Sequence, residues 1–314
     1  MSLFDIRAFR RTDRDQLARL VNSHAAAVMP GASVSVNTVL SQLEREPGEF
    51  IVDPWVSERR TLVAEQSGAI VAAALMLRYR ADRDVGETYR NAGEIRWLLF
   101  WPMAPEDNPF WEDGHAAADA LMNACLAQFD TWHVTHRHAD GALPHPGVYG
   151  VPAQWPHIER LYERHGFNPG HTEIILMADL DRVDEPGEAP LAGLTVQRLL
   201  GVNGTRLTAH IDGEPVGLIE VDLLDQTERH SRSGRVADIG NLFIGGGHRR
   251  LGVGTWLVRH AARWLRLGRS DRLVAYASPD ETEMIEFLAR NGFTEITHTR
   301  RGWTHHTAPD GLTR

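Results

Sequence analysis

Two stretches of this chain, ERLYERHGF at 159–167 and EFLARNGF at 286–293, carry one pattern: an amphipathic helix that ends in Gly-Phe. Glycine after a last helical turn is a common stop signal, so the echo alone decides little. The order of elements before each copy decides more. The first half reads as strand DIRAFR, helices near 13–28 and 35–46, and a hairpin TLVAEQ/AIVAAALMLRYR around Ser67-Gly68. Strand GEIRWLLFWP, helix HAAADALMNACLAQFD, strand TWHVTHRHA, helix PHIERLYERHGF and strand EIILMADL follow. The second half reads as strand LTVQRL, a hairpin RLTAHID/EPVGLIEVDLL around Asp212-Gly213, and strand VADIGNLFI. A glycine turn, a helix near 254–267, strand RLVAYA, helix ETEMIEFLARNG and strand FTEITHTRRGW complete it. Between the halves, DRVDEPGEAPLAG (181–193) is acidic, rich in Pro and Gly, and aperiodic, which predicts a linker. The 314 residues also suit two average domains. The predicted division is therefore 1–180, a linker at 181–193, and 194–314.

The segment VADIGNLFIGGGHRRLGVGT (236–255) is the place where a ligand is expected. An apolar strand ends at Leu242, Phe243 and Ile244, Gly245 to Gly247 break it, and Gly252 and Gly254 bracket a helical start. Glycines let successive backbone N–H groups point one way. A helix beginning there adds its unpaired N–H groups and positive dipole end, and Arg249 and Arg250 add two cations. The sum is an anion site suited to phosphate or pyrophosphate. Spacing excludes two nucleotide motifs. A dinucleotide fingerprint needs glycine at 257, which is Leu257, and a triphosphate loop needs Lys then Ser or Thr after Gly252, where Val253 and Gly254 stand.

What remains, Arg249-x-x-Gly252-x-Gly254 five residues after an apolar strand, resembles motif A of the GCN5-related N-acetyltransferase (GNAT) superfamily. Gly246 stands where that pattern has proline. The resemblance implies an α/β (α+β) fold in each half, a mixed, mostly antiparallel central sheet flanked by helices. It implies acetyl-CoA as co-substrate, its pyrophosphate held by Arg249, Arg250, Leu251, Gly252, Val253, Gly254 and Thr255, and its thioester end set against Leu242, Phe243 and Ile244. The pantetheine arm would pair with the open strand edge as an added strand does.

The halves are not equivalent. Where the second has its glycine turn, the first has Trp101-Pro-Met-Ala-Pro-Glu-Asp-Asn, and Glu106, Asp107, Glu112 and Asp113 would repel a pyrophosphate. Only the second half is expected to bind cofactor. That half also lacks the two helices that wall the acceptor side in this family, which points to the first half as the missing wall.

Acetyl transfer to an amine needs a base, a polarised carbonyl and a proton for the thiolate. Asp238 matches the position of the general-base glutamate in histone-type members. Period-two alternation would place it on one face with Gly240, Leu242 and Ile244. Glu220 on the preceding strand is the second candidate. The tyrosine that many members place four residues before the Gly of Gly-Phe is here Leu288, and the asparagine seven residues earlier is Glu281. Tyr276 is the candidate acid in its stead, with solvent the other source. The first half keeps that tyrosine as Tyr162.

Composition narrows the partners. All 33 basic residues are arginine, and 42 acidic residues leave a formal charge of −9. Neither nucleic acid nor an anionic membrane is then an expected partner, whereas a cationic amine is compatible. The sequence has no apolar run near ~20 residues and one cysteine, Cys125, so no internal disulfide. A cytoplasmic monomer or homodimer is expected. His133, His136, His138 and His145 cluster, but alternation separates His133 from its neighbours and no metal is expected. The long Pro/Gly loop at 140–155 is a candidate border of the acceptor pocket. The leading expectation is an N-acetyltransferase acting on a small-molecule primary amine by direct attack in a ternary complex. The alternatives are a mycothiol-synthase-like acetyltransferase, or a non-catalytic acyl-CoA-binding sensor.

Overall fold

A computed structural model describes residues 4–29, 31–45, 54–101, 114–145, 147–202, 204–223 and 235–305. The acidic residues 106, 107, 112 and 113 lie outside these. The elements are β1 (Asp5–Ala8), α1 (Arg14–Val28), α2 (Val36–Glu44), β2 (Val56–Gln66), β3 (Ala69–Tyr79), β4 (Ala92–Phe100) and α3 (Gly114–Trp132). Next come β5 (His136–Ala139), β6 (Val151–Pro152), α4 (Pro156–Arg164), β7 (Phe167–Asn168), β8 (His171–Asp179), β9 (Thr195–Gly201) and β10 (Gly204–Ile211). The chain continues with β11 (Glu214–Leu223), β12 (Val236–Ile244), α5 (Val253–Leu267), β13 (Arg272–Ala277), α6 (Thr282–Arg290), β14 (Thr294–Arg301) and β15 (Trp303–His305).

Two compact units result, and they are not contiguous in sequence: 1–172 with 299–314, and 173–298. Unit 1 contains the sheet β1-β2-β3-β4-β5-β15-β7, in which only β4–β5 is parallel. Its strand β3 is an unbroken apolar run, Ile70 to Leu77, buried throughout, as a strand covered on both faces must be. Unit 2 contains β14-β8-β13-β12-β11-β10-β9, with β12–β13 parallel. Both are mixed, mostly antiparallel sheets flanked by helices.

The units differ from the division 1–180, 181–193 and 194–314 in two ways. First, β8 was expected to close the first half and the last strand the second. Instead β8 pairs with β13 inside unit 2, while the last two residues of β14 before Arg301 pair with β6, and β15 pairs with β5 and β7, inside unit 1. Alternation in a sequence specifies which face of a strand is buried but not which neighbour it takes, so the exchange left no trace in the pattern. Second, the expected linker is a strap bound along α5. Asp184 pairs with Arg259 at 2.7 Å and Glu185 with Arg266 at 2.5 Å. Arg266 also donates to the carbonyls of Leu180 and Val183, and Trp256 Nε1 to that of Gly187. Val183 and Leu194 are buried in the same core. The acidity that read as a solvated linker is the complement of the arginines on α5.

The histidine strand is shorter than expected. Helix α3 runs to Trp132 and His133 occupies the following turn with φ of +52°, leaving only His136 and His138 in β5. Among the described residues no group of three or more His, Cys, Asp or Glu is placed to hold a metal ion.

Candidate active site in unit 2

Helix α5 is amphipathic. Val253, Trp256, Leu257, Ala261 and Leu265 are buried against the sheet, and Arg259, Arg263 and Arg266 lie on its other side. Its N-cap, Gly252, has a φ of +86°, a left-handed conformation that an L side chain resists. A Cβ there would also come within 3.0 Å of the Pro190 ring. The Trp256 N–H closes the first turn on the Gly252 carbonyl at 3.0 Å, so the N–H groups of Val253, Gly254 and Thr255 have no intrahelical acceptor. Arg249 donates from Nε to the Ile244 carbonyl at 3.0 Å, which ties the turn to the end of β12. Arg250 pairs with Glu283 at 2.6 Å, with both side chains exposed. Cations and N–H groups without intrahelical acceptors therefore lie at the first turn of α5.

The strand leading to this turn has an open edge. β12 pairs with β13 only at Val236↔Arg272, Ala237↔Leu273 and Asp238↔Val274. Beyond Asp238 the strands part, and β12 runs six more residues, to Ile244, without register to β13. Phe243 is 53% exposed and Leu251 47% exposed, which puts apolar surface beside the polar cradle.

A β-bulge adds a feature that sequence alternation missed. Val221 pairs with Ile239 but Glu220 with Asn241, so Gly240 is the extra residue. Ile239, Leu242 and Ile244 pack against the core beneath α5. Asp238 lies opposite Asp222, and Phe243 opposite Leu218, so Asp238 points to the other face, away from Leu242 and Ile244. The single glycine within an apolar strand was the available signal.

On that second face the register gathers Asp238, Asp222, Glu220 and Tyr276. In β13, Leu273, Ala275 and Ala277 belong to the core, which turns Val274 and Tyr276 to the face of Asp238. Asp238 is half-buried, and its carboxyl is pushed up to about 6, first by desolvation and then by the charge of Asp222. Glu220 is buried and committed: its Oε1 accepts from Arg206 Nε at 2.6 Å and Nη2 at 2.5 Å, and from the Val202 N–H at 3.3 Å. Leu288 is buried in the core, and Glu281 accepts from the Ser278 N–H before α6. Asp222 and the bulge were not singled out in the sequence; both follow from strand register.

An opened parallel strand pair beside a glycine turn at a helix start sets an apolar strand edge next to an anion-binding helix end. Residues 175–293 match the model of the acetyltransferase (GNAT) family, a match that begins inside β8 and so falls within unit 2. The matched residues lie in unit 2, and unit 1 lies outside them.

Solved structures share this fold over nearly the whole chain. A tandem GNAT protein from the clavulanic acid biosynthesis pathway, solved without acetyl-CoA, is 16% identical with a TM-score of 0.65, covering 98% of this chain and 100% of that one. The GCN5-related glucosamine N-acetyltransferase region of a fungal multi-domain GH3 β-N-acetylglucosaminidase is 14% identical with a TM-score of 0.63. The match covers 96% of this chain, which spans only 38% of that protein. A GCN5-related N-acetyltransferase from Sphaerobacter thermophilus is 14% identical with a TM-score of 0.57, covering 97% and 95%. No curated protein matched the sequence. Among the described residues no helix is long and apolar enough to cross a membrane.

Proposed function

We propose that the chain is an acetyl-CoA-dependent N-acetyltransferase for a small-molecule primary amine, with the cofactor bound by unit 2 alone. The open edge of β12 running into the N-terminus of α5 carries this reading. The pyrophosphate sits on the N–H groups at Gly252 to Thr255, flanked by Arg249, Arg250 and Leu251. The pantetheine arm adds to the edge of β12 at Leu242, and a backbone N–H near Phe243 and Ile244 polarises the thioester carbonyl. A donor fixed in this way lowers an acyl-transfer barrier by about 3 kcal/mol.

Asp238 is the base. It lies at the apex of the opened strands, and a carboxyl titrating near 6 is ionised at neutral pH yet basic enough to take a proton. Glu220 is the weaker candidate because its acceptor oxygen is occupied by Arg206. Tyr276, on the same face as Asp238, is the candidate acid for the leaving thiolate. Calorimetry with acetyl-CoA tests the cofactor assignment. Micromolar binding abolished by Gly252→Asp is the expected result, and binding indifferent to that change removes it. The burial of Leu288, where a proton donor would stand, favours one second reading, a non-catalytic acyl-CoA sensor. Tight cofactor binding with no transfer across a panel of amines would establish that reading.

A further inference from the structure

The acceptor side of unit 2 holds a charge that the transfer itself leaves unused. Asp222 lies directly opposite Asp238 in the register of β11 and β12, which sets their Cβ atoms about 4.5–5.5 Å apart. The described ion pairs of the unit engage other carboxylates: Asp179, Asp184, Glu185, Glu220, Glu283 and Glu295. None among the described residues involves Asp222 or Asp238. Like charges opposite one another weaken a sheet, so this pair costs stability until a cation joins it.

Unit 1 has a related carboxylate in different company. Its β4 has a bulge at Arg96, because Met76 pairs with Ile95 but Leu75 with Trp97. Aligning the two bulges places Glu94 on Asp238. Glu94, however, lies opposite Leu77, and it accepts from Tyr79 Oη and from Arg96 Nη1. The carboxylate nearest Glu94 is the buried Asp140, which follows β5 and is raised by desolvation and then by the charge of Glu94, whereas in unit 2 two carboxylates lie opposite one another on neighbouring strands, at the point where β12 leaves β13.

We propose that Asp222 is a positioning residue that selects an acceptor with a second cationic nitrogen, roughly three to four bonds from the amine that reacts. This rests on the transferase reading above. The second ammonium donates to Asp222. Its positive charge lowers the proton affinity of the neighbouring nitrogen, which then enters neutral beside Asp238. That nitrogen attacks the thioester carbon: the C–N bond forms, the C–S bond breaks, and the nitrogen's surplus proton passes to Asp238. The thiolate leaves and takes a proton from Tyr276, which solvent then restores. The charged and titratable groups on this face include Asp222 of β11, Glu220 held by Arg206 of β10, Tyr276 and Arg272 of β13, and Asp179 of β8 opposite Arg272.

The test compares 1,3-diaminopropane with n-propylamine on the full chain, as wild type, Asp222→Asn and Asp222→Glu. Wild type is expected to favour the diamine by about tenfold or more in KM, the scale of one charge-assisted hydrogen bond. Asp222→Asn collapses this preference to about twofold, through KM rather than kcat, and Asp222→Glu restores part of it. The acid limb of the diamine profile in kcat/KM also moves to lower pH in Asp222→Asn, because a like charge beside Asp238 has gone. Equal treatment of the two amines by wild type overturns the proposal, as does a preference that survives in Asp222→Asn. An acetyl-CoA titration of each protein separates the two readings. Where no amine is acetylated, calorimetric affinities for the two amines still decide the selection at Asp222, and the transferase reading alone falls.

Discussion

Beyond the bulge, β4 and β12 have matching geometry and opposite surroundings. Each is bulged two residues after a carboxylate and parallel to the next strand for a few residues only. In unit 1 the protein itself then closes the exposed edge. Ala142 N–H donates to the Arg96 carbonyl at 3.0 Å. The buried Tyr162 hydroxyl donates to the Asp140 carbonyl at 2.8 Å and is hydrogen-bonded by the backbone of Leu98. His24 bonds the backbone of Leu20 and Phe100 and lies 3.3 Å from His157. In unit 2 the matching positions, Gly240, Leu242 and Ile244, lie on an edge that leaves β13, and the only side chain described on it is Arg249, at Ile244. Among the described residues one edge is thus closed from within and the other is not. The deciding residues are side chains such as Tyr162 and His24, not differences in the sheet.

Each expected outcome below presses on that contrast. Asp238→Asn should lower kcat by about 10²–10⁴, the usual contribution of a general base, and abolish an acid limb near pH 6, read from the pH profile of kcat/KM. Retained turnover would reduce the apex carboxylate of unit 2 to the structural rank of Glu94. Gly252→Asp should weaken acetyl-CoA by about 100-fold or more by calorimetry, because it combines a strained φ, a clash with Pro190 and a negative charge at the cradle. Tyr162→Phe should cost about 1–3 kcal/mol in denaturant unfolding, the loss of a buried hydrogen-bonded hydroxyl, and leave acetyl-CoA affinity untouched. A loss of affinity would show that unit 1 takes part in cofactor binding.

The last effect is a pH slope. Burial lowers His24 to about 4 and His157 to about 3 from 6.5. A depressed folded-state value means that the unfolded chain binds protons first. The stabilisation by these neutral rings is therefore complete above about pH 6.5 and declines as pH falls toward 4. The slope reaches about 1.4 kcal/mol per pH unit for each ring. Melting temperatures between pH 7 and 4 check this, and His157→Phe should flatten the decline. Asp238 has the opposite sign. Its raised value stabilises the fold below about pH 4, and that contribution is lost as pH rises through 6. Asp238→Asn should thus gain about 1–2 kcal/mol at pH 8 after discounting for solvent screening, and nothing at pH 4.

The cradle was legible because its spacing is local: Arg249, Gly252 and Gly254 sit in one turn, and chemistry written within ten residues survives in a linear reading. The doubled fold was legible for the same reason, element by element. What escaped was pairing at a distance. Asp222 and Asp238 are 16 positions apart and meet only through strand register. Gly240 shifts that register by one and so turns Asp238 to the other face. The strap at 181–193 read as linker because its partners, Arg259 and Arg266, lie about 75 to 80 residues away. The origin of β8 and β15 was hidden for the same reason.

The route of the chain through β8, β14 and β15 bears on the order in which the molecule can be made. Unit 1 begins at the amino end, yet β15 lies between β5 and β7 in its sheet and is among the last described residues to be synthesised. A ribosome that has delivered the first 172 residues has delivered a sheet with a missing member. Domains that are contiguous can fold in turn as they emerge, but here strands β1 to β5 wait for β15. Translation pauses or truncations ahead of β15 should therefore damage the sheet of unit 1, whose other strands were made long before.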